Sequence, residues 1–121
     1  MELTERVNPM RVVDNDTGRE YILDFNRETI AFAEDRGFTW DAVGDRIVTF
    51  VPFIWWVAFR RYNPRMARDK TDKLLEEKGG IKPKELKRLK ELWDQCLAPL
   101  IADDDEAEDD AKNAKVTVVL D

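Results

Sequence analysis

Residues 49–64 read TFVPFIWWVAFRRYNP. Phe50, Phe53, Trp55, Trp56, Phe59 and Tyr62 crowd into a few helical turns, and the run ends at Arg60 and Arg61. A membrane span, a core helix and a partner-binding helix all fit such a composition, so length is the first test. The uncharged stretch Ile47–Phe59 holds 13 residues between Arg46 and Arg60. A helix needs about 20 apolar residues to cross the hydrocarbon of a bilayer. Pro52 suits the first turn of a helix, where its missing N–H would lack a partner anyway, and this places the helix at 51–62. Phe53 and Val57 then lie on one side, Trp55 and Phe59 on another, and Trp56 between them. A helix apolar all round is normally central in its fold. A chain of 121 residues has little other structure to enclose it, so part of the aromatic surface is expected to be covered by a neighbouring chain. Full burial in its own core and a self-association interface are the alternatives.

The segments on either side suggest what packs around this helix. MRVVDNDTGREYILDF (10–25) reads as a β-hairpin: Asp14–Gly18 are turn formers, and Tyr21, Leu23 and Phe25 alternate with polar or opposite-facing residues. A lone hairpin is marginal in water, so its apolar face needs cover. A helix over 27–36 follows, with Asn26 as N-cap, Glu28 in the dipole-favoured first turn and Gly37 as the left-handed stop. Thr39 caps a short helix at 40–46 that offers Trp40 and Val43 inward. After Pro64, a helix over 66–78 ends at Gly79–Gly80. Leu86, Leu89, Trp93, Cys96, Leu97 and Leu100 keep the spacing of one helical face over 83–101, with Pro99 ending or kinking it. The fold class is therefore α+β: an N-terminal β-hairpin on a mostly helical domain of four to five helices. Residues 1–9 show no period and are expected to be flexible. Residues 103–115 form an acidic linker expected to be disordered, and 116–121 a possible docking strand.

Net charge is −6, but its distribution says more. Residues 60–90 hold 12 Lys and Arg against 5 Asp and Glu, and both flanking parts are acidic. Such segregation permits charge-complementary contacts between copies, and equally fits solvated helix faces. The run Val116–Leu120 follows the acidic stretch. Val116, Val118 and Leu120 would share one face of a strand. That strand could add to the hairpin of its own chain, to another copy, or to a partner.

Catalytic patterns are missing. There is no histidine and a single cysteine, Cys96, on an apolar helix face, where a small buried residue is the simpler reading than a nucleophile. No glycine-rich phosphate loop or paired cysteine set occurs. The acidic run 103–110 lacks the glycine and spacing of a calcium loop. No enzyme activity, cofactor or metal is expected. Glu2, Glu5 and Arg6 stand where a secretory leader would be apolar, so a cytosolic protein is expected. The basic middle keeps a small nucleic-acid-binding regulator open as a second reading.

YILDFNRETIAFAEDRGF (21–38) resembles the opening of the small tail assembly chaperones of long-tailed bacteriophages and their prophage relatives: an aromatic-x-Leu-x-Phe strand, Asn-Arg, a short helix with a glutamate, then Gly-Phe. FIWWVAFRRYNPRM (53–66) resembles the family's aromatic-rich helix and basic, proline-containing turn, and LKRLKELWDQCLAPLI (86–101) its closing helix. The resemblance spans about residues 20–101 and implies a non-enzymatic morphogenesis factor in the cytoplasm of the bacterial host, absent from the finished virion. It implies that the tape measure protein and the tail tube protein are partners, that copies self-associate, and that a longer frameshifted product can exist. A structural head–tail component is a further alternative. For the partner-binding surface the expected residues are Phe53, Trp55, Trp56 and Phe59, with Arg60 and Arg61 at its rim.

Overall fold

The computed structural model describes residues 6–101 and 115–120. Strands β1 (Met10–Asp14) and β2 (Arg19–Leu23) pair antiparallel, Met10 opposite Leu23 and Asp14 opposite Arg19. The turn closes because Gly18 takes φ +76°, a conformation costly for any residue with a Cβ, and its N–H donates to the Asp14 carbonyl at 2.7 Å. Tyr21 and Leu23 point into the core, while Val13 and Ile22 face solvent.

Helix α1 (Arg27–Asp35) follows directly. Its N-cap is reciprocal: the Asn26 side chain accepts from the Thr29 N–H at 2.9 Å, and the Thr29 hydroxyl accepts from the Asn26 N–H at 2.9 Å. Such caps stabilise by about 1 kcal/mol. Arg36 closes the helix, Gly37 turns the chain at φ +83°, and Thr39 caps a 3-10 turn at Trp40–Ala42.

Helix α2 (Ile47–Arg60) starts four residues earlier than the proline suggests. Pro52 therefore sits beyond the first turn and deprives the Val48 carbonyl of an intrahelical donor. Val48 is 88% exposed, so water can take that place. The helix is rich in β-branched residues, which favour it little. Its stability comes from burial. Phe50, Phe53, Ile54, Trp55, Val57, Ala58 and Phe59 are all buried, and full burial of a large apolar side chain stabilises by about 1.5–3 kcal/mol.

Helices α3 (Arg68–Lys78) and α4 (Pro83–Leu97) complete the enclosure. α3 ends at Gly79 and Gly80, at φ +88° and +96°. α4 has Pro83 in its first turn, and the Glu85 carboxylate accepts from the Lys82 N–H at 2.9 Å. It ends at Leu97, four residues short of 101: Ala98 keeps helical geometry at φ −55° and ψ −40°, but Pro99 has no N–H to donate to the Gln95 carbonyl. Phe25, Phe38, Trp40, Phe50, Phe53 and Trp93 form a continuous aromatic cluster between α4, α2 and the 38–40 turn. Among the described residues the result is a hairpin packed against four helices, an α+β fold.

One further expectation is corrected. The start of the chain is not loose from residue 7 onward: the Gln95 amide clasps Val7, accepting from its N–H at 3.0 Å and donating to its carbonyl at 3.1 Å, and Arg88 donates to the Asn8 carbonyl. Of the three targets left open for residues 116–120, the hairpin of their own chain is not taken up among the described residues, where the sheet consists of β1 and β2. The expected looseness of residues 1–5 and the acidic linker up to residue 114 lie outside the described residues. Among those residues no helix is long and apolar enough to cross a membrane.

Candidate docking surface

The six residues expected to form one binding surface separate into three environments. Trp55 and Phe59 are fully buried, with rings 5.2 Å apart edge to face, and Phe53 is buried beside Phe38. These three are core, and the idea that the helix exceeds what its own domain can cover fails for them. Phe59 meets Tyr21 of β2 edge to face at 5.5 Å, and Trp55 is covered by the strongly polar helix α3. The Trp55 indole N–H reaches across and donates to the Thr71 carbonyl at 2.8 Å, while Thr71 and Leu74 close over the ring's side of α2.

Arg61 is structural as well. Its Nη1 donates to Asp24 Oδ2 at 2.7 Å and to the Phe25 carbonyl at 3.0 Å. The Asp24 side chain is 7% exposed, and its other oxygen accepts from the Phe25 N–H at 2.8 Å. A buried carboxylate needs such partners, and this pair fastens the end of α2 to the end of β2. Cys96 lies beside it, its thiol donating to the Phe25 carbonyl. Burial, and then the charge of Asp24, push that thiol's pKa up, so it is a poor nucleophile at neutral pH.

Trp56 and Arg60 remain at the surface, and the fold joins them to residues that the sequence reading overlooked. The Trp56 indole N–H donates to the Met66 carbonyl at 2.9 Å, holding the 61–67 loop. Its ring stays half-buried and meets Phe32 of α1 edge to face at 5.5 Å. Three guanidinium groups surround this pair. Arg36 lies 3.6 Å from the Phe32 centroid, Arg60 4.1 Å from Phe32 and 5.1 Å from Trp56, and Arg68 5.7 Å from Trp56. Among the described residues none of the three forms a salt bridge.

A cation over an aromatic ring at an exposed site is stabilised by about 0.5–1 kcal/mol. Stacking fixes the guanidinium plane and leaves N–H groups free for a carboxylate. The surface thus offers a narrow apolar floor with positive charge on several sides. Tryptophan and arginine are the residue types most enriched among those that dominate binding energies. A signal for it was present in the sequence. Phe32–Arg36 and Trp56–Arg60 are both aromatic–arginine pairs at i, i+4, the spacing at which side chains meet on a helix. The expected docking strand takes no part: Val116, Val118 and Leu120 are exposed, with no contact to this surface.

No curated protein and no solved structure matches the chain. A family model described as "Domain of unknown function (DUF5055)" matches residues 4–120, and the chain belongs to that family.

Proposed function

We propose that this protein is a phage tail assembly chaperone, a non-enzymatic factor that binds the tape measure protein through the Phe32–Trp56 surface, keeps its apolar helices soluble, and helps recruit tail tube subunits. The resemblance of residues 20–101 to such chaperones supports this reading. The observation that carries it is the half-buried aromatic pair ringed by Arg36, Arg60 and Arg68, which have no carboxylate partners among the described residues. An amphipathic helix with acidic residues flanking its apolar stripe is the complementary shape and charge. A shallow strip of this kind suits a client that must later be released into the growing tail.

The test is co-expression with a phage tape measure protein. The wild-type chain should raise the soluble yield of that protein and co-purify with it. A variant carrying Arg36→Gln, Arg60→Gln and Arg68→Gln should fold normally and lose both effects. Equal recovery with the triple variant, or no recovery with wild type, refutes the proposal. Retention on heparin at physiological salt, lost in an Arg60→Glu, Arg61→Glu, Arg65→Glu variant that stays folded, would favour nucleic-acid binding instead.

A further inference from the structure

Among the described residues the sheet has two strands, and the outer edge of β1 has no strand beside it. An open groove of about 600 Å³ runs along that edge, lined by β1 and by Leu74, Glu77 and Lys78 of α3. Unpaired backbone groups along a strand edge are a template for another strand. The chain also contains a strand-forming segment that pairs with no strand among the described residues. Val116, Val118, Val119 and Leu120 are between 76% and 90% exposed.

We propose that residues 116–120 of a second copy of this chain add to the free edge of β1 and lie in this groove. The two segments match in length, since β1 is itself five residues long. They also match in alternation. In a strand, Val116, Val118 and Leu120 would share the face that meets Leu74 and the inward side of Met10 and Val12. Thr117 and Val119 would then lie beside Val13, which is 44% exposed on the hairpin's outer face. Lys115 and Asp121 flank the segment in the sequence, and charges of both signs line the groove, Glu77 and the Lys78–Glu85 ion pair among them. The second copy is the favoured source because the segment stands clear of β1 in its own chain. Residues 102–114, fully extended, can reach about 45 Å, enough to deliver the strand to a neighbour. Reciprocal exchange would close a two-fold dimer, and one-way exchange would give rings or open chains.

Sedimentation velocity over a range of concentrations tests this on the full chain, against Val118→Glu. Val118 is 78% exposed, so the substitution leaves the single-chain fold intact, which a thermal melt verifies. The wild-type sedimentation coefficient should rise with concentration, and that of Val118→Glu should not. A mixing experiment identifies the surface. Isotope-labelled Val118→Glu keeps a vacant β1 edge but donates no strand. Unlabelled wild type should shift its Met10–Asp14 amide resonances, and unlabelled Val118→Glu should not. Unmoved Met10–Asp14 resonances overturn the proposal. So does a shift that wild type alone shows at every dilution, which would mean that the strand docks within its own chain. Neither measurement involves the tape measure protein, so both outcomes are independent of the proposed chaperone role.

Discussion

Trp55 and Trp56 are neighbours in the chain, and the same substitution should have different consequences at each. Trp55 is fully buried, and its indole N–H donates to Thr71 at 2.8 Å. Trp55→Phe removes that bond, a net loss of about 1 kcal/mol. The phenyl ring also leaves part of the indole volume unfilled, which costs about another 1–2 kcal/mol in lost transfer energy and cavity. The Thr71 carbonyl keeps its intrahelical donor, so no further penalty for an orphaned group applies. The sum is about 2–3 kcal/mol. At Trp56 the ring is half-buried, and water can reach the Met66 carbonyl once the indole is gone, so Trp56→Phe should lose about 0.5–1 kcal/mol. For a folded body of this size about 4–6 °C of Tm accompanies each kcal/mol. Thermal melts followed by circular dichroism should therefore drop by about 10 °C for Trp55→Phe and about 3 °C for Trp56→Phe. Binding should invert the order: below its Tm Trp55→Phe still engages the partner, and Trp56→Ala does not. Melting temperatures within 3 °C of each other would refute the division of the pair into a core residue and a surface residue.

Asp24 and Arg61 should be coupled. Asp24→Asn and Arg61→Met should each destabilise by about 1–3 kcal/mol, less than for a wholly buried pair because Arg61 is one-third exposed. The double variant should fall short of their sum by 1 kcal/mol or more in urea denaturation, and additive effects would remove the pair from the fold's supports. Pro52→Ala should stabilise by about 1 kcal/mol, because it restores a helical N–H inside α2 at the cost of some unfolded-state freedom. An unchanged or lower urea midpoint would mean that the proline ring's packing outweighs the missing bond. At Glu85 burial raises the carboxyl pKa, but the hydrogen bonds from Lys78 and the Lys82 N–H, with the charges of both lysines, bring it below the ordinary 4.5. A folded-state pKa below the unfolded one contributes stability above pH 4.5 that is lost as pH falls through the lowered value. Urea midpoints between about pH 6 and 3 should therefore fall less steeply for Glu85→Gln than for wild type, and parallel curves would contradict this.

The parts of the fold that the sequence announced are those fixed by local chemistry. The Asp14–Gly18 turn, the period-two face of Tyr21 and Leu23, the Asn26 cap and the glycine stop after Lys78 depend on near neighbours in the chain, and all stand where expected. The environment of α2 depended on something non-local. Composition alone makes α3 look like a solvated helix, with little beyond Leu74 and Leu75 to bury. Yet that polar helix packs onto α2 through Leu74 and Leu75, and its Thr71 carbonyl accepts from the Trp55 indole N–H 16 residues away. Thr71, a residue no apolar pattern would select, ends fully buried. Arg61 was misplaced for the same reason. It sits beside Arg60 in the chain, but one step around the helix turns it toward Asp24, 37 positions away. The Phe32 contribution was hidden by helix pairing: each aromatic–arginine pair is visible on its own helix, whereas their meeting needs α1 packed across α2.

The size of the surface left after folding bears on how such a protein could work. With Trp55 and Phe59 committed to the core, one half-buried indole, one phenyl ring and three arginines remain. Contacts of that kind, less the cost of association, correspond to a single-copy Kd of about 10–100 µM. That is weak for holding a long apolar client in solution. Several linked copies on one client would raise the overall affinity by about 10²–10⁴ without any new contact. The proposed strand exchange would supply that linkage. If both proposals hold, Val118→Glu should weaken capture of a long client by at least tenfold. Its affinity for a short peptide that occupies only one docking surface should be unchanged, because Val118 makes no contact with Phe32, Trp56 or the arginines. Titrating both ligands by fluorescence anisotropy separates the cases. Equal affinity of wild type and Val118→Glu for the long client would show that linkage plays no part, and a parallel loss for the short peptide would show that the substitution reaches the docking surface itself.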